Sequence, residues 1–99
     1  MKLINDKIVD DLFESLGLKF LAQQKQDEIM TRILELISQR AGAKIVEGFS
    51  EKETKEFNEI PKDDLEQMED FMILKNPNAE EIFKQEAQVV ESELLNNKA

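Results

Sequence analysis

The segment from about Ala22 to Glu47 constrains this chain more than any other. Ile29, Met30, Ile33, Leu34, Leu36, Ile37, Ala41 and Ile45, projected at about 100° per residue, cover roughly half the circumference of a helix. A stripe that wide needs two or more neighbours to cover it. The segment therefore reads as the central helix of an all-α fold, and the rest of the chain has to supply the cover. Its start carries no strong signal. Near its end, Gly42 costs on the order of 1 kcal/mol against alanine, so Ala41-Gly42-Ala43 either allows a close helix crossing or marks a break.

The cover is legible on both sides. Upstream, Ile4, Ile8, Val9, Leu12, Phe13 and Leu16 recur at helical spacing. Asn5 or Asp6 can cap that first helix, and Gly17 stands where a left-handed residue would end it, folding Leu18 back onto Phe13. Downstream, Gly48 ends the long helix, and Ser50 with Glu53 makes the capping box of a third. Glu51 and Lys55 form an i,i+4 pair on it. Phe49 is expected to pack on Phe57 or on the long helix. Pro61 stops the third helix and, as a first-turn residue, opens a fourth whose inner side is Leu65, Met68, Phe71 and Met72. Asn76-Pro77-Asn78 breaks the chain again. Asn78 with Glu81 caps a fifth helix carrying Ile82, Phe83, Ala87, Val90 and Leu94, with fraying expected from about residue 96. No strand alternation or repeat competes with this reading. Short connections leave no room for a second domain, so residues 1–99 are expected to form one compact bundle of about five helices around a long central one.

Charge excludes more than it identifies. The net charge is −9, and residues 49–99 alone hold six basic against fourteen acidic side chains, whereas residues 18–48 come to +1. A polyanion is repelled by phosphate backbones and anionic headgroups, so neither nucleic acid nor a membrane is an expected partner. The longest purely apolar run, Phe71 to Leu74, is far short of the roughly 20 residues that span a bilayer. Asp6, Asp10 and Asp11 interrupt the N-terminal region before any signal-peptide core could form. A cytoplasmic location is the expectation.

The residue types that carry chemistry are sparse. His, Cys, Tyr and Trp are absent, which removes the usual general base, the thiolate nucleophile and the strong transition-metal ligands. Ser15, Ser38, Ser50 and Ser92 lie in helices or at a cap with no such base beside them. Glycines at 17, 42 and 48 make no phosphate-binding loop. Asp63, Glu66 and Asp70 share one face of the fourth helix and read as a solvated face rather than a divalent-cation site, since the close-set ligands of a calcium loop are missing. No catalytic residue, cofactor site or metal site is expected.

What remains is surface. Arg40 and Lys44 fall inside the apolar arc of the long helix: their stems lie over the core, or Arg40 forms an internal ion pair with a carboxylate of the fourth or fifth helix. The third helix offers little beyond Phe57 and Ile60, so the arc is expected to be thinly covered there. That leaves an apolar groove lined by some of Leu34, Ile37, Ile45, Phe49 and Phe57, filled by a second copy of the chain or by a partner's helix; the alternative is that helices one, four and five already cover the whole arc. Val46, Ile73 and Leu95 fall off the stripes, and Leu3 and Phe20 belong to none of them.

The stretches LFESLGL (Leu12–Leu18) and ILELISQRAGAKIVEGFSEKETKEF (Ile33–Phe57) resemble a small all-helical bacterial domain family of unknown function. Its members pair a Leu-Gly-Leu helix end with a long Arg-bearing helix and a Gly-[Leu/Phe]-Ser-x-x-[Glu/Gln] junction, with Phe49 here where leucine is usual. The resemblance implies the fold and carries no site. The functional expectation is a protein-interaction or accessory module. The alternative is an acidic inhibitor that mimics nucleic acid in a partner's basic groove.

Overall fold

The long amphipathic segment forms one unbroken helix, and the other elements are arranged along it. The computed structural model describes residues 3–96. It contains α1 (Asp6–Ser15), a single 3-10 turn (Leu18–Phe20), α2 (Gln23–Glu47), α3 (Glu51–Asn58), α4 (Leu65–Lys75) and α5 (Ala79–Asn96), with no strand among the described residues. Residues 97–99, where fraying was expected, lie outside the described residues. The 25 residues of α2 span about 37 Å at a rise of about 1.5 Å each, which sets the long axis of a molecule measuring 46 × 24 × 20 Å.

Local hydrogen bonds define the helix ends. The Asn5 side chain accepts from the Ile8 amide at 3.0 Å, capping α1. Gly17, at φ 66°, is the left-handed residue that stops it, and the chain continues directly into the 3-10 turn, where Leu18 is buried. α2 starts without a side-chain cap on Ala22, and the Gln26 amide group instead bonds back to the Leu21 carbonyl at 3.0 Å. Gly42 neither breaks α2 nor admits a close crossing: a Cβ built there meets nothing within 4 Å. At the junction with α3 the capping box is complete, the Glu53 amide donating to Ser50 Oγ (3.1 Å) and the Ser50 amide to Glu53 Oε1 (2.9 Å).

Two helix starts differ from the sequence expectation. Pro61 does not open α4. It begins a turn in which the Asp64 amide bonds to the Pro61 carbonyl at 3.0 Å, and Asp64 then caps α4 by accepting from the Gln67 amide at 3.1 Å. An aspartate satisfies one of the orphan amides of a first turn, whereas proline only removes one. The shift places Leu65 at the first helical position, 60% exposed; Met72 faces inward as expected, and Glu69 joins it. Before α5, the shaping side chain is Asn76 rather than Asn78: its Oδ1 accepts from the Asn78 amide at 2.9 Å.

α5 runs antiparallel to α2, as the pairing of Arg40 with Glu93 and Lys44 with Glu86 requires. Between them Ile33, Ile37, Ala41 and Ile45 meet Ala79, Phe83, Ala87 and Val90. Leu12, Leu16 and Leu18 close one side of this core, and the segment before α1 contributes Leu3 and Ile4, both buried. α4 adds Met72, while α3 contributes no buried residue. No helix among the described residues is long and apolar enough to cross a membrane.

Candidate functional site

Sequence reasoning placed a groove beside α2; the structure fills most of it. Ile37 and Ile45 have no exposed surface, because α5 lies over this face of α2. Leu34 is half-buried against the core. Phe49 does pack on Phe57, with ring centroids 5.8 Å apart, and Phe71 of α4 completes the group at 5.6 Å from Phe49 and 5.8 Å from Phe57. The third ring supplies the cover that the short α3 lacks. What is left outside is a shallow hollow of about 470 Å³ framed by Phe49, Thr54 and Asn58 with Glu51, Lys55 and Glu59.

The charged residues inside the apolar arcs are ion pairs to α5. Arg40 Nη1 lies 3.0 Å from Glu93 Oε2, with both side chains half-exposed at the rim of the helix pair. Lys44 meets Glu86, whose side chain is only 4% exposed. Arg40 thus does reach a carboxylate of α5, and Lys44, one turn further on and itself exposed, pairs with the one whose carboxylate is buried. Glu86 sits between Phe83, Ala87 and Val90 on the buried stripe of α5. An acid at that position opposite a lysine in the stripe of α2 is the signal by which the pair could have been found. A second buried acid, Glu69 of α4, accepts the Leu3 amide through Oε2 at 3.0 Å and so ties the N-terminal segment to α4 across 66 residues of sequence. Both acids have structural work to do. Asp63, Glu66 and Asp70 are exposed, and among the described residues no three His, Cys, Asp or Glu side chains gather where an ion could be held.

Two surface features remain. One is a set of apolar side chains left in solvent: Phe20 (82% exposed) and Leu21 at the corner between α1 and α2, and Leu65 and Leu74 (74% exposed) on α4. The Lys19 ammonium lies 5.3 Å over the Phe20 ring. The other is a half-open cleft of about 650 Å³ between α1 and α5. Its floor is Ile8, Leu12 and Ala87, and its rim includes Lys7, Asp11, Glu80, Glu81, Lys84 and Glu91.

Residues 12–94 match a family model described as a protein of unknown function, DUF5663. No curated protein and no solved structure matches the chain. The match covers the end of α1 and nearly everything after it, so the chain belongs to the DUF5663 family.

Proposed function

We propose that this member of the DUF5663 family is a protein-interaction or accessory module, acting in the cytoplasm of a bacterium, that presents a rigid helical surface and catalyses no reaction itself. The observation that carries this reading is the Phe20–Leu21 corner. The core buries Leu3, Leu18, Ile33, Ile37 and Ile45, yet an 82%-exposed phenylalanine stands in water. Left-handed Gly17 and the 3-10 turn fix its position. A rigid aromatic side chain beside a second apolar residue has the chemistry of an interface anchor, since it loses little entropy on docking.

The test compares capture of partners from native lysate by the wild-type chain and by Phe20→Ala, with sedimentation equilibrium of both to detect a second copy as the partner. Loss of the captured protein, or of self-association, in Phe20→Ala supports the reading. Identical behaviour of the two contradicts it. The charge of residues 49–99, fourteen acids against six bases, favours the nucleic-acid mimic as a second reading. Capture abolished by raised salt, competed by duplex DNA and indifferent to Phe20 would select it.

A further inference from the structure

We infer that the cleft between α1 and α5 is the docking groove for a basic amphipathic segment of a partner protein, a proposal that specifies the interaction reading above and rests on it. The cleft has the form such a segment needs. Its floor is apolar, with Leu12 and Ala87 buried and Ile8 half-exposed, so one or two apolar side chains of the occupant can be desolvated there. Its walls are helices, residues 5–12 on one side and 80–91 on the other, which gives a trough of about 11 Å along α1, two helical turns of a partner.

The rim fixes the sign of the partner. Four carboxylates (Asp11, Glu80, Glu81, Glu91) stand against two ammonium groups (Lys7, Lys84). One of each sign is paired within α1, Lys7 Nζ lying 3.0 Å from Asp11 Oδ2, which leaves three carboxylates against Lys84. Glu80, Glu81 and Glu91 line the opposite wall along more than two turns of α5, and the chain around them is acidic. An acidic occupant would meet repulsion from both the rim and the whole-molecule field. A second copy of this chain carries −9, and its least acidic region, residues 18–48, reaches only +1, so self-docking lacks the required charge. A lysine- or arginine-rich helix face flanking a leucine-type stripe matches both floor and rim.

The test uses the full-length, isotope-labelled chain and two synthetic peptides of equal length, one with leucines at helical spacing among lysines and the other with glutamates in place of the lysines. The lysine peptide is expected to shift the amides of residues 5–12 and 78–91 selectively, and the glutamate peptide to shift none. The double variant Glu81→Lys/Glu91→Lys should weaken the lysine peptide at least tenfold. The control Glu51→Lys/Glu56→Lys on α3, which changes net charge by the same amount, should leave the affinity within about threefold. Glu81 and Glu51 are exposed and Glu91 and Glu56 half-buried, one of each in either variant, and unchanged circular dichroism verifies folding. Equal weakening by the two variants, shifts spread over the acidic surface generally, or no binding of the lysine peptide would each overturn the proposal. None of those results touches the Phe20 comparison, so the two readings fail separately.

Discussion

The α2–α5 pair and the α3–α4 arm are built from the same residue types and held together by different physics. Along α2 and α5, Ile37, Ala41, Ile45 and Val90 lose all contact with water, and Phe83 is 1% exposed. In the arm, α3 buries nothing fully, and its cohesion comes from the Ser50/Glu53 box, the Asp64 cap and three half-buried rings. Helices of 8 and 11 residues are marginal alone in water. The arm therefore depends on its end groups, on aromatic edges and on the few groups it buries (Ile60, Glu69 and Met72), while the pair depends on burial along its whole length. Stability is concentrated where α1, α2 and α5 meet, which is also where the cleft lies.

That contrast can be broken or sharpened by substitution, read as urea midpoints by far-UV circular dichroism. Phe83→Ala should cost most, about 3–5 kcal/mol, since it empties a closed core site. Phe71→Ala in the arm should cost clearly less, because its ring is half in water already, and equal losses would erase the distinction. Next comes the ion-pair comparison. Lys44→Ala strands the carboxylate of buried Glu86 and should cost about 1–3 kcal/mol, against less than about 1 kcal/mol for Arg40→Ala at the exposed rim. A reversed order would mean that the buried Glu86 carboxylate does not depend on its lysine. Ser50→Ala removes one cap bond, for about 0.5–2 kcal/mol; an unchanged midpoint would mean the box contributes nothing to the arm. The smallest effect has the opposite sign. Gly42→Ala should stabilise by about 0.5–1 kcal/mol, because the added methyl has open space around it.

Most of the architecture could be read from the sequence because it is local. Periodicity located α1, α2 and α5, and the Ser50–Glu53 spacing placed the α2–α3 junction to the residue. The start of α4 was misplaced because Pro61 and Asp64 are both acceptable openings, and only the turn between them decides which is used. The expected groove is mostly filled, and for a non-local reason. Whether Ile37 and Ile45 are covered depends on where α5 lies, and whether Phe49 and Phe57 are capped depends on Phe71, fourteen residues beyond Phe57. Burial of Glu69 and Glu86 runs against the usual exposure of glutamate; in each case the partner that permits it, the Leu3 amide or the Lys44 ammonium, lies far away in sequence. The α1–α5 cleft was invisible for the same reason, since its walls come from the two ends of the chain.

The central claim is that a rigid α2–α5 frame carries a weaker α3–α4 arm, and native-state hydrogen exchange followed residue by residue tests it most directly. Amides of residues 33–45 and 83–90 should exchange only through global unfolding, with the free energy and denaturant dependence of the whole molecule. Those of α3 and α4 should open several kcal/mol more easily in a separate step, and Phe71→Ala should accelerate that step while leaving the slowest amides of α2 and α5 little changed. Uniform protection across all five helices, with Phe71→Ala accelerating every amide alike, would contradict the account.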